Sequence, residues 1–440
     1  MRIVFVLLCT LLLGACASGK KAREAKEAAA ARRQANASAS GDNRSGSSTA
    51  SGSSNWRITS IKGRFLNHDS TTVRIYLNVT PQRGNGPASM EDLMAHFTLN
   101  YVVYPDYNSR ERLGYGNVPL TAQSVARNGN INEPITVFFD VKKPSNAITG
   151  VLLAEFTETT TGRKVLHDLP LRFRAAKLSD RFAFFNRSTN LPEMRHYANQ
   201  GDTVLLKDLA GTQRQLHLFR YQYEFDPAAS PMNTTPRPAA RTLSADSALT
   251  ITTNQPFVVP QEGLYYFVED TTDTYGIGLL VADSRFPRLT RPEKLVKPVM
   301  YMSTSQEITD LTTNKDAKKA LDRYWLTLMA GNQEVARRAI RAYYNRVEEA
   351  NRLFTTYKEG WKTDKGMIYI ILGPPDRVQR SRDREVWVYN QRANVSEINF
   401  TFNRKPNQFV DDHYDLVRYV EYQPIWYPVV EAWRNGAIQE

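Results

Sequence analysis

The sequence predicts a multidomain chain: two antiparallel β-sandwich-like domains followed by a C-terminal α+β domain. Three observations predict it. At 440 residues the chain exceeds one ordinary core, since domains usually run about 100–200 residues. Apolar residues alternate with period two, with turn residues between the runs, from about Asn55 to Leu178, and a second block of candidate strands runs from about Ser179 to Val299. From Tyr301 the apolar spacing changes to that of helices.

The N-terminus reads as a leader over residues 1–15. Arg2 gives the positive end, and Ile3 to Leu13 is apolar apart from Thr10. That run is shorter than the roughly 20 residues a membrane-spanning helix needs, and fits the apolar region of a signal peptide. Its end, Leu13-Gly14-Ala15-Cys16, resembles the lipobox of bacterial lipoproteins, with Cys16 as the acylated residue. A plain secretory leader or a buried strand is the competing reading. With Cys9 removed and Cys16 acylated, the mature chain holds no free thiol, which suits an oxidising compartment without disulfides. Acyl chains at roughly 0.8 kcal/mol per buried methylene moor the chain to a bilayer, the first expected partner. Ala17, in place of the aspartate that marks inner-membrane retention, points to the outer membrane. The basic Ser18-Gly19-Lys20-Lys21 favours its periplasmic face.

Residues 16–54 read as the lipidated Cys and a tether, Ala-rich and charged at first, then Ser/Gly-rich. Such a coil spans roughly 35 Å r.m.s., enough to stand the folded part off a membrane. The formal net charge of +12 favours anionic partners, but nucleic acid is not expected in that compartment.

Residues 55–178 form the first expected sandwich. Val73, Ile75, Leu77 and Val79 alternate with Arg74, Tyr76 and Asn78, and Phe97 to Val103 and Ile135 to Val141 do likewise. Residues 179–299 form the second, with Phe182–Phe185, Leu216–Phe225, Tyr265–Glu269 and Ile277–Ala282 among its strands. Asp226 to Ala240 reads as a long loop, and Pro256 and Pro260 flank an edge-like strand.

Residues 300–440 form the α+β domain. Asn314 is placed to cap a helix carrying Leu321, Tyr324, Trp325 and Leu328. A second helix carries Val335, Ala339, Tyr343, Val347, Ala350, Phe354 and Tyr357 on one stripe and ends at Gly360. Then come Gly360-Trp361-Lys362-Thr363-Asp364, an expected strand Met367–Leu372, and Gly373-Pro374-Pro375-Asp376. This stretch resembles the GWxTD domain family, over about Ser303 to Tyr422. The resemblance implies an exported, often lipidated envelope protein of Gram-negative bacteria, with β domains ahead of the motif and no established activity. Read physically, Gly360 terminates the helix with positive φ, and Trp361 buries its ring. Thr363 and Asp364 bond backbone amides, and Gly373, Pro374, Pro375 and Asp376 make a rigid exit turn. The motif is expected to be structural.

Signatures of chemistry are scarce. The six His have neither HxH nor HExxH spacing, and no GxSxG elbow or GxxxxGK[ST] loop occurs. No catalytic residue, metal or cofactor is therefore assigned. Asp411-Asp412-His413-Tyr414-Asp415 is the densest polar cluster and reads as a charged turn. The C-terminal Tyr419, Tyr422, Trp426, Tyr427 and Trp433 suit either a protein interface or a strap on the domain's own core. The expected function is a non-enzymatic accessory or scaffold subunit of an outer-membrane assembly or secretion complex. The alternative is a periplasmic hydrolase or glycan-binding protein with Asp364, Asp376 and His413 in one cleft.

Overall fold

A computed structural model describes residues 55–438 apart from 85, 223, 236–241 and 391–396. The leader, Cys16 and the tether lie outside the described residues.

The first region is a sandwich of antiparallel strands with one short helix. Its elements are β1 (Trp56–Asn67), β2 (Thr72–Arg83), β3 (Gly86–Pro87), α1 (Met90–His96), β4 (Phe97–Tyr104), β5 (Gly114–Val118), β6 (Val125–Arg127), β7 (Ile135–Lys142), β8 (Thr149–Glu158) and β9 (Lys164–Arg172). One sheet runs β1-β2-β7-β6 with β3 beside β2; the other runs β5-β4-β8-β9. The alternation decides what each face meets. Val73, Ile75, Leu77 and Val79 point inward with Val137, against Leu99, Leu152, Ala154 and Phe156 of the other sheet. Burying such a side chain contributes about 1.5–3 kcal/mol. On the outer face Leu66 and Tyr76 are buried too, beneath Ala183, Phe185 and Leu191 of the next region.

That second region holds β10 (Ala183–Phe184), β11 (Tyr197–Asn199), β12 (Thr203–Val204), β13 (Leu206–Lys207), β14 (Gln215–Tyr221), β15 (Ser247–Thr252), β16 (Phe257–Val258), β17 (Gly263–Val268) and β18 (Ile277–Ala282). Its main sheet runs β11-β18-β17-β14-β15, antiparallel except for the β11–β18 pair. The opposing layer is reduced to two ladders, β10–β13 and β12–β16, which bring Phe184, Leu206 and Phe257 onto the sheet's Leu216, Leu218, Tyr265 and Phe267. Prolines 256 and 260 keep β16 to two residues. The sheet's other face receives Phe409 and Val410 from the C-terminal region. There Gly278 donates to Phe409 O at 2.7 Å, and a Cβ on it would lie 2.8 Å from that of Phe409. Only glycine permits so close an approach.

The C-terminal region contains α2 (Pro292–Leu295), α3 (Ser305–Thr313), α4 (Ala317–Leu328), α5 (Gln333–Phe354) and α6 (Asp364–Leu372), then the antiparallel sheet β19 (Arg377–Arg380), β20 (Arg384–Tyr389), β21 (Ile398–Arg404) and β22 (Tyr414–Leu416), and finally α7 (Gln423–Arg434). Asn314 does not cap α4 but ends α3; Asp316, nearer the first turn, accepts from Lys319 N at 3.0 Å. The α5 stripe is core as its spacing predicts, with Tyr343 against Trp325 and Trp433. Of the C-terminal aromatics, Tyr422, Trp426 and Trp433 are buried while Tyr419 and Tyr427 are exposed. Among the described residues no helix is long and apolar enough to cross a membrane.

The three regions join into one compact unit from Ser54 onward. Lys62 of β1 donates to the carbonyls of Arg352 and Leu353 at the α5 C-terminus, at 3.3 and 3.1 Å. Asp411, in the loop before β22, accepts from Arg172 of β9, from Lys177 and from Ser179, at 3.0, 2.5 and 2.7 Å.

Candidate functional site

The motif between α5 and α6 is built on α5 itself. Thr355 Oγ1 donates to Asn351 O (2.6 Å) and accepts from Gly360 N (2.9 Å). Asn351 Oδ1 accepts from Trp361 N (3.0 Å), while its Nδ2 donates to Pro287 O (2.9 Å). Gly360 is therefore not the helix terminator with positive φ that the sequence suggests. Helix α5 ends at Phe354, and Gly360 opens a short 3-10 turn with φ outside the positive range. Glycine is required for another reason: a Cβ there would lie 2.0 Å from Ala350 O. Trp361 is 2% exposed, its carbonyl accepts from Tyr301 Oη (2.8 Å), and its ring meets Tyr301 edge-on.

Residues 367–372 form most of α6, not the expected strand. Thr363 decides this: its Oγ1 accepts from Gly366 N (3.0 Å) as an N-cap and donates to Gly360 O (2.7 Å). The run Met367 to Ile371 is apolar because the helix is buried all round, so neither helical nor strand periodicity is visible. Asp364, 4% exposed, accepts from Leu416 N on β22 (2.7 Å) and from Arg418 Nη2 (2.6 Å). Arg418 in turn reaches Ala229 O and Ser230 O in the second region (both 3.3 Å).

At the far end of α6, Gly373 does adopt positive φ (81°), and its carbonyl accepts from Tyr389 Oη (2.9 Å). Pro374 and Pro375 form the turn, and Asp376 closes it: Oδ2 accepts from Asn390 N (2.7 Å), and its own N–H joins Val388 O (3.0 Å). Asp364 thus serves the β22 edge of the sheet and Asp376 the end of β20, with β21 between those strands. His413 lies in the loop entering β22, 3.5 Å from Asp415 and with its ring edge-on to Tyr357. These three candidates each serve a different local arrangement.

Beside the motif lies a cleft of about 300 Å³, walled by Trp361, Leu289 and Val281. Charges alternate around it. Lys362, 6% exposed overall, pairs with Glu359 at 2.5 Å; Lys297 pairs with Glu224; Lys294 pairs with Glu262 at 2.8 Å. Such a wall suits packing or binding, because its bases and acids already satisfy one another.

Two polar clusters complete the region, a half-buried one at Asp411 and a buried one at Glu385. Burial would raise the Asp411 carboxyl, but Arg172, Lys177 and the Ser179 hydroxyl outweigh it and hold it well below the usual carboxylate range. Burial likewise opposes the ionised Glu385, yet Lys365 (3.2 Å) and Arg380 (3.2 Å) keep it below its ordinary value. Among the described residues no group of three His, Cys, Asp or Glu comes together to hold a metal ion.

Sequence reading missed Asn351, Arg418 and Arg172. Asn351 carried a signal, since it stands four residues after Val347 on the apolar stripe of α5. Arg418 and Arg172 carried none, because their partners are distant in sequence.

Residues 263–435 match the family model of the GWxTD domain, so the resemblance that the motif carries holds for the C-terminal region. The match begins in β17 and so takes in two strands of the second region's sheet. No curated protein matches the chain.

Proposed function

We propose that this chain is a periplasm-facing outer-membrane lipoprotein, moored through acylated Cys16. It acts as a non-enzymatic accessory or scaffold subunit of an outer-membrane assembly or secretion complex. One observation carries the scaffold reading: Thr363 and Asp376 of the motif bond backbone groups, and Asp364 bonds the Leu416 N–H and pairs with Arg418, so each helps to fix the fold. Gly360 serves close packing in the same way. The regions are moreover tied to one another by half-buried charge at Asp411 and buried charge at Asp364, as a body that transmits position needs. The leader and Cys16 support the membrane location. Against the hydrolase alternative, Asp364 and Asp376 stand beyond opposite ends of the run 365–372, each engaged in bonds that hold the sheet.

The test begins with Cys16→Ala, which should release the protein from the membrane fraction into the soluble periplasm and abolish palmitate labelling. A variant that stays membrane-bound defeats the anchor. Affinity purification of the acylated chain from detergent-solubilised envelopes should bring a stable membrane-protein companion. Recovery of the chain alone defeats the scaffold role.

A further inference from the structure

Among the described residues β15 is a terminal strand of the second region's sheet, paired only with β14. Sheet edges invite pairing by another chain and are normally blunted by charge, proline or a cover. Three other edges here are blunted. β9 carries Lys164, Asp168, Pro170 and Arg172; β19 carries Arg377 and Arg380; and Asp364 takes the Leu416 N–H of β22. β15 reads Ser-Ala-Leu-Thr-Ile-Thr, with no charge and no proline. Its middle residues Ala248, Leu249 and Thr250 are all exposed, so both faces and the edge are open there.

The register shows what the open edge offers. Thr253 N–H donates to Arg214 O (2.8 Å), so odd-numbered residues turn their backbone groups toward β14. Ala248, Thr250 and Thr252 then turn theirs outward, and none of the three makes a backbone bond beyond the sheet among the described residues. Leu249 lies opposite Leu218, which is buried in the sheet's core, yet Leu249 is 60% exposed. The apolar face therefore continues one strand beyond its cover.

We infer that β15 pairs antiparallel with β15 of a second copy of this chain, making one continuous ten-stranded sheet about a twofold axis. The strand is its own complement. Setting Leu249 against its symmetry mate places Ala248 opposite Thr250 of the other copy. Both turn their N–H and C=O outward, so two reciprocal hydrogen-bonded pairs form. Leu249 meets Leu249 at a non-hydrogen-bonded position, where Cα atoms stand about 4.5 Å apart. Ser247 and Ile251 complete the same face. A charge at position 249 would meet its own copy across the axis, and the strand carries none there.

Disulfide trapping tests this register, in the full chain with Cys9 and Cys16 changed to serine. Leu249→Cys should cross-link to itself on mild oxidation, since about 4.5 Å between Cα atoms lies within disulfide reach. Ala248→Cys should not self-link, because its mate stands diagonally at roughly 7–8 Å. Mixed with Thr250→Cys chains, it should link to them. Thr250→Pro, which removes only an outward N–H, should keep the thermal midpoint and abolish the Leu249→Cys dimer. Failure of Leu249→Cys to link while its thiol reacts freely with maleimide overturns the pairing. So does equal self-linking at 248 and 249, which marks random collision. A monomer whose edge is instead occupied by a different protein's strand overturns the second copy as occupant.

Discussion

The first sandwich and the C-terminal region solve burial differently. In the sandwich, specificity comes from alternation: Val73, Ile75, Leu77 and Val79 are fully buried, and the polar residues between them take the other face. In the C-terminal region the core itself holds polar groups, with Asn351, Thr355, Lys362, Asp364 and Glu385 all buried. Each is paired with a partner that fixes a helix end, a turn or a strand edge. The difference teaches that a mutation should act by contrasting routes in the two regions: lost methylenes in the sandwich, stranded polar partners around the motif.

The largest effect is expected at Asp364. Asp364→Ala leaves Arg418 and Leu416 N without their acceptor, and breaking a buried pair costs about 3–5 kcal/mol. Denaturant unfolding of the variant should show that loss; a change within experimental error would mean that the motif aspartate does not hold β22 and the loop at 229–230. Next comes Gly360→Ala, where one methyl must displace Ala350 O. Overpacking of this kind costs about 1–3 kcal/mol and occasionally more. Ile75→Val in the sandwich, which removes one methylene, should cost about 0.5–1.5 kcal/mol. A smaller loss at Gly360 than at Ile75 would break the contrast between the regions.

A pH-dependent effect falls at the junction between them. Burial, then repulsion from Arg352, lowers Lys62 from 10.5 to about 8, against the pull of Asp412. Below pH 8 the ammonium is charged in both states and its burial opposes folding. Between about 8 and 10.5 the unfolded chain binds the extra proton, so stability should rise with pH. That rise should vanish in Lys62→Met; matching pH profiles in the two proteins would show that Lys62 does not titrate as a buried group.

Legibility followed the same contrast. The strands of the sandwich could be read directly because a half-buried strand writes its environment into every second residue. The α5 stripe was equally plain, from Val335 to Phe354. The segment 367–372 misled because an element buried on all sides loses its period, and only the Thr363 cap distinguishes helix from strand there. Gly360 misled because glycine answers two needs, positive φ and close approach, which a sequence does not separate.

By itself the sequence determined the order of the modules, the faces of the long strands and the main helix stripe, and the motif that the family model recognises. These are local patterns, set by neighbours three or four residues away or by simple alternation. Only the tertiary structure decided that Asp411 joins Arg172, that Asp364 joins Arg418, and that β15 is left at an open edge. Those outcomes depend on which distant segments meet, and a buried charge reveals its purpose only when its partner is in place.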